Sequence, residues 1–392
     1  MTGPLRCDVL VVGAGPAGSA AAAALALRGR DVLLVDAHHH PRPKACAEYA
    51  SPRIAEELAS LGIASATWRS AAAAVHGMRV IRGSDAVEIG YADERGARTA
   101  WGLDRMAFDA LLATHAVGLG ARLEEGATFE EIVERDGRVR GAVVRTRNGR
   151  IPVECRWLIG ADGARSRVAS QLGVRRTVRA PRRLGLVAHY EGVPALRDHG
   201  EMHVGAHGYV GLAPLPGGRL NVGMALPLER GGGARARFDA AIASLPAVAE
   251  RLAGRERLGA IRGAAPIGCR VSEVAGPGWM LVGDAAGFID PFTGEGIYRA
   301  LRSGRAAADA LATGEEAAAA WYRADRREIF GTKDRLTWLV QGMLAAGPVM
   351  GYALRRLARR SDAARLLGAA LGDCRPAADA VSPRFLFEVL RP

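Results

Sequence analysis

Lysine is nearly missing from this chain. Of its 53 basic residues only Lys44 and Lys333 are lysine, and the rest are arginine. The arginines are scattered, so the net charge of +12 reads as a composition bias, not as a face built for phosphates. No nucleic-acid partner is expected. Aromatic residues make up only 5% of the chain, yet 49% is hydrophobic, and no polar low-complexity tract occurs. Disorder is excluded on that ground. The five cysteines form no C-x-x-C pair, which argues against a disulfide framework or a zinc ribbon and fits a reducing cytoplasm. Three consecutive histidines, His38 to His40, cannot converge on one ion unaided, so no metal site is expected. Long apolar runs are also missing. The uncharged stretch from Leu336 to Leu354 has 19 residues, the lower edge of a membrane span, but Gly347-Pro348 breaks it. It reads as two short packed helices. Weak membrane-surface contact is a secondary reading, because Arg355, Arg356, Arg359 and Arg360 follow at once. No secretory leader is expected, since Val9 to Val12 runs straight into a glycine turn.

That glycine turn is the first positive signal. Val9 to Val12 is a continuous apolar run, as a buried parallel strand requires. Gly13, Gly15 and Gly18 then spell G-x-G-x-x-G, with Pro16 and Ala17 inside it, and an alanine-rich helix follows. A second strand ends at Asp36 and Ala37, with Asp36 lying 23 residues after Gly13. This context predicts a dinucleotide site. The glycines allow the tight turn, the approach of backbone N–H groups to a pyrophosphate, and close helix packing. Asp36 would accept from ribose hydroxyls.

Two later segments point to FAD as the dinucleotide. Trp157 to Ile159 is a buried strand entering the acid-glycine turn Asp162-Gly163. Trp279 to Val282 delivers Gly283 and Asp284, whose carboxylate suits a ribityl hydroxyl. The loop through Pro291, Gly294 and Glu295 then opens a helix at Gly296 and Ile297. N–H groups at that helix start would stabilise the negative charge gathering on a reduced flavin.

The three segments in this order resemble the flavoprotein superfamily that contains para-hydroxybenzoate hydroxylase and the geranylgeranyl reductases. Leu103 to Asp109 resembles that family's L-x-R-x-x-F-D helix start, which implies that Arg105 reaches the flavin. Pro43 to Pro52 resembles the reductase branch's K-x-C-G-E-x-x-S-P segment, which implies that Lys44, Ala45 and Cys46 lie against the flavin. Ala47 stands in place of the glycine. Gly208 to Pro214 resembles the branch's G-Y-x-W-x-F-P strand, without its tryptophan and phenylalanine.

The expected fold is α/β: a glutathione-reductase-like Rossmann FAD domain from residues 1–75, 100–180 and 265–315. An inserted antiparallel sheet from 76–99 and 181–264 would form the substrate domain, and 316–392 a helical C-terminal region. Two chemistries fit. The first choice is a monooxygenase: NAD(P)H binds transiently and reduces the flavin, oxygen adds at C4a, and the hydroperoxyflavin hydroxylates an aromatic or polyketide-like molecule. The alternative is reduction of an alkene in a prenyl-lipid-like substrate. Both imply a hydrophobic or aromatic small-molecule partner. Candidate catalytic residues are Cys46, His203, Tyr209 and Pro291. His189, Tyr190, Glu201 and His207 are further acid–base candidates, and Glu201 and His203 share one strand face. The cluster Arg175, Arg176, Arg179, Arg182 and Arg183 reads as a solvated loop.

Overall fold

A computed structural model describes residues 4–391, other than 197 and 230. The mixed α/β architecture has the Rossmann-like core expected from the glycine turn. Four parallel strands run in the order Arg122–Glu125, Val32–Asp36, Leu5–Val12, Gly149–Gly160. The last of these is paired along one edge by two different partners. An antiparallel ribbon, Thr128–Arg135 and Arg138–Thr146, covers its first half. Trp279–Leu281 runs parallel to its final residues, Leu158 to Gly160. The helix Pro16–Ala26 is buried almost throughout, so its alanines let it lie close between the sheet and the helices Arg105–Gly118 and Gly296–Ala312.

A second, seven-stranded sheet roofs one side of this core. Its order is Glu256–Ala264, Arg183–Glu191, Leu220–Pro227, Gly208–Pro214, His199–Gly205, Gly77–Arg82, Asp85–Gly90. The expectation of a purely antiparallel sheet needs one correction. Gly77–Arg82 pairs with His199–Gly205 in parallel, because these strands come from remote parts of the chain and no hairpin joins them. Alternation divides the roof into two faces. Leu186, Val210, Leu212 and Val222 pack under the helices Ala234–Ala243 and Pro246–Leu252. Met202, Val204, Tyr209 and Ala225 lie on the opposite face, with the C-terminal helices against its far end. The long uncharged stretch does divide at Ala346, between Ala318–Ala345 and Gly347–Ala358. Among the described residues no helix is long and apolar enough to cross a membrane.

Candidate functional site

The glycine turn has the geometry its spacing implies. Gly13 has φ +103°, and a Cβ there would fall 2.5 Å from the Ala161 carbonyl oxygen. A Cβ on Gly18 would fall 1.8 Å from the Gly13 oxygen, so only glycine lets the helix sit this close. Gly15 is the N-cap, Pro16 opens the helix, and no side chain caps it, which leaves first-turn N–H groups for an anion. The three fingerprint segments meet here. Ala161 N–H donates to the Val12 oxygen at 2.8 Å, and a Cβ on Gly283 would meet the Ala17 methyl at 2.7 Å.

Asp36 is 4% exposed. Its Oδ2 accepts from Ala14 N–H at 2.8 Å and from Arg42 Nη2 at 3.0 Å, and Oδ1 accepts from His38 N–H at 2.9 Å. Burial pushes this carboxyl up, but Arg42 and the two N–H groups outweigh it and hold it below the ordinary value. Oδ1 retains a lone pair for a ribose hydroxyl. Arg42 had no motif to mark it. Ala37 is exposed just beyond the strand, and His40 turns to Glu125 at 2.8 Å.

Asp162 caps the helix Arg167–Gln171 through Oδ2, while its Oδ1 is buried with no partner. Burial pushes its carboxyl up, against the N–H and hydroxyl donors around it. Gly163 follows with φ +78°. The Asp284 carboxylate is half-buried and makes no hydrogen bond or ion pair among the described residues. The helix at Gly296 and Ile297 likewise begins without a side-chain cap. An orphaned buried oxygen, an unpartnered carboxylate and two uncapped helix starts around one glycine cradle fit FAD, which needs donors for its phosphates and acceptors for its hydroxyls.

The segment expected against the flavin is locked from several sides. Cys46 Sγ accepts from Arg105 Nη1 at 3.0 Å and from Glu48 N–H at 3.3 Å. Arg105 is buried, and Nε and Nη2 grip Asp109 at 2.7 Å each, so most of its donor edge is taken by the protein. Glu48 adopts φ 57°, a left-handed conformation costing about 1–2 kcal/mol for a non-glycine residue. Its buried carboxylate offsets this by accepting from Asn221 Nδ2 at 2.8 Å and bonding His189 Nε2 at 2.7 Å. Asn221 also donates to the Cys46 carbonyl at 3.0 Å. Lys44 and Ala45 are half-buried, and Lys44 makes no ion pair or hydrogen bond among the described residues.

Beside this segment lies a pocket under the roof sheet, about 610 Å³ counting the solvent at its open mouth. Ala47, Tyr49 and the turn Pro291–Gly294 form one wall. Met78, Met202, Gly211 and Ala213 belong to the roof, and Leu371 comes from the C-terminal region. Gly211 and Ala213 occupy the positions where the reductase-like strand carries tryptophan and phenylalanine. Gly294 has φ +70° and packs on the Tyr49 ring.

Three expectations for the roof change. His203 does not face the cavity side. It shares a strand face with Glu201, bonded at 2.8 Å, but on the side under the two helices, where Arg251 also holds Glu201 at 3.0 Å. Tyr209 lies on the cavity side of the sheet, yet its hydroxyl donates to Asp290, and its ring stands edge-on to Phe292 at 5.0 Å. Burial and the adjacent Asp290 push that phenol well above its usual range. Arg183 is no solvated loop residue. It pairs with Asp290 at 3.3 Å and lies 5.3 Å over the Tyr209 ring.

Glu295 is the other buried acid of the loop. It accepts from Thr293 and Thr337 hydroxyls at 3.1 and 3.2 Å. Lys333 Nζ approaches it at 3.5 Å and donates to the Ala370 and Leu371 carbonyls at 2.8 and 2.9 Å and to Asp373 Oδ1 at 2.7 Å. One buried ammonium thus ties the loop to the chain end that supplies the cavity wall.

Residues 6–257 match the FAD binding domain family. The menaquinone reductase of Mycolicibacterium smegmatis is 37% identical over 325 residues, covering 79% of this chain and 77% of that protein. The digeranylgeranylglycerophospholipid reductase of Methanosarcina acetivorans is 29% identical over 311 residues, 77% of this chain and 74% of that one. A flavoprotein/dehydrogenase structure from Cytophaga hutchinsonii superposes with a TM-score of 0.84 at 24% identity, covering 98% of this chain and 95% of that one. This chain belongs to the family of FAD-dependent oxidoreductases that includes the geranylgeranyl reductases.

Proposed function

We propose that this protein reduces one carbon–carbon double bond in the prenyl chain of a lipid such as a menaquinone. The observation that carries this reading is the cavity. Among the described residues no Lys, Arg or His lines it, and the one acidic residue on its wall, Glu201, has its carboxylate on the other face of the sheet, where His203 and Arg251 hold it. Its walls therefore suit a hydrocarbon chain. FAD, when bound and reduced, supplies hydride to such a bond. The glycine turn and Gly296 N–H groups would hold the cofactor, with Asp36, Asp162 and Asp284 on its hydroxyls. Cys46 Sγ would give the proton to the second carbon, and Arg105 Nη1 at 3.0 Å would stabilise the charge left on sulfur. The Glu48–Asn221–His189 lock keeps that segment against the roof. A reduced nicotinamide is the proposed reductant. Monooxygenation of an aromatic or polyketide-like molecule stands second, favoured by the room that Gly211 and Ala213 leave.

The lipid would be drawn from a membrane surface. Trp338 is 50% exposed, Val349 44% and Phe387 69%, all on the C-terminal helices, and no acidic residue lies between Arg335 and Ser361. The test incubates dithionite-reduced holoprotein anaerobically with a menaquinone bearing an unsaturated chain. The expected product has gained two hydrogens by mass. No gain there, with oxygen incorporated into an aromatic compound in air, would replace this reading with the second.

A further inference from the structure

Within the apolar cavity wall, the side chains of two tyrosines bond to each other. Tyr49 and Tyr91 hydroxyls lie 2.6 Å apart, and the residues are 8% and 7% exposed. Neither hydroxyl has another partner among the described residues. Burial pushes both phenols up, so both stay protonated at neutral pH. Two O–H protons are then present, and their mutual hydrogen bond uses one. The second proton is left without an acceptor in a buried, apolar setting, which is costly unless something supplies one. The pair also has space beside it. Ala213 packs in the same cluster as Tyr49 and Tyr91, and with Gly211 it stands where the related strand has large aromatic rings. The large rings of the related strand are therefore missing beside the pair, with Met202 lying over Gly211. Among the described residues no cation lines the cavity, so the acceptor is a neutral oxygen and not a phosphate.

We propose that the Tyr49–Tyr91 hydroxyl pair is a binding subsite for a carbonyl oxygen of a prenylated quinone, with the ring lodged beside Gly211 and Ala213. The unused phenolic proton donates to that carbonyl. This sets specificity: it holds the ring at one place, and the chain beyond it is laid along the cavity at a fixed distance. The proposal rests on the reductase reading only for the chain. Recognition of the carbonyl requires no turnover.

The experiment therefore measures binding, with ligands that cannot be reduced. A naphthoquinone with a saturated isoprenoid chain, the same chain as a plain hydrocarbon, and the same chain as a glycerol ether are titrated into oxidised holoprotein. Tyr49→Phe and Tyr91→Phe are compared with the parent, each first shown to retain flavin. Loss of one neutral hydrogen bond is expected to weaken quinone binding about 2- to 13-fold and to leave the hydrocarbon unchanged. Equal weakening of quinone and hydrocarbon would mean a packing role and would overturn the proposal, as would no change with either variant. Selective weakening of the glycerol ether alone would assign the subsite to an ether oxygen and overturn the quinone. The parent protein gives an independent reading. The infrared carbonyl stretch of the bound quinone should lie below its value in hexane, and an unshifted band refutes the hydrogen bond even if a variant fails to fold. If binding follows the proposal but no double bond is reduced in the turnover test, the subsite stands and the reductase reading falls.

Discussion

Replacing Lys333 by methionine should destabilise the protein sharply, because its ammonium is shared by two backbone carbonyls, Asp373 and Glu295, and of these only Glu295 has a second cation among the described residues, Arg299 at 3.6 Å. Methionine keeps most of the stem volume, so packing is little disturbed and the charge is what is lost. The Ala370 and Leu371 carbonyls each lose a donor, and Asp373 and Glu295 are left facing each other. Breaking a buried pair from one side costs roughly 3–5 kcal/mol. Burial already pushes the Asp373 carboxyl up, against the opposing pull of Lys333, so in the variant it would take up a proton and keep the loss toward the lower figure. Unfolding entropy of about 2.1 cal/mol/K per residue converts ~3–5 kcal/mol into a Tm fall of about 4–6 °C for a chain of this length. Differential scanning calorimetry of the holoprotein gives that value. The double variant Lys333→Met/Asp373→Asn should recover part of the loss, since it removes the uncompensated acid. A single variant that melts within 1–2 °C of the parent, or a double variant less stable than the single one, would refute the reasoning.

Asp284→Ala should weaken FAD binding by about 10- to 150-fold, the worth of a hydrogen bond to a charged acceptor, while leaving apoprotein stability unchanged because the carboxylate has no partner among the described residues; flavin titration followed by apoprotein melting separates the two. The Asp36 carboxyl lies below its unfolded value, so folding favours its charged form. That stability is complete above the unfolded value near pH 4 and is lost as pH falls below it toward the folded value. Urea midpoints between pH 5 and 3 should therefore drop less steeply in Asp36→Asn than in the parent. Trp338→Ala combined with Phe387→Ala should abolish co-flotation with anionic vesicles while leaving turnover of a detergent-dispersed substrate intact; retained flotation would remove the membrane-docking element of the proposal.

The legible parts of this molecule were the local ones. A strand, a tight turn and a helix start are written within about 25 residues, so Gly13 to Asp36 and Gly283 to Ile297 could be placed from their own spacing. The groups that hold the site together come from far apart. Glu48, His189 and Asn221 meet from three separate strands or loops, and the Tyr49–Tyr91 pair joins positions 42 residues apart. No pattern in either segment announces the other. The roof strands show a third limit: alternation places Glu201 and His203 together, but period two does not say which face meets the helices. Only the neighbouring Val210 and Leu212, buried under Phe238 and Val248, decide it. Arg183 was masked by its arginine neighbours.

The pairing of Leu158 to Gly160 with Trp279–Leu281 carries a consequence for biosynthesis. As the chain leaves the ribosome, the glycine turn and its first strands emerge early, but the edge they present has no partner until some 120 residues later. The intervening chain must meanwhile build most of the roof sheet, which closes onto Gly77–Arg82, already made. Such long-range closure is slow, and it leaves a bare apolar strand edge in the nascent protein. The proposed flavin cradle is complete only once the last parallel strand arrives, so cofactor capture would be a late event in synthesis.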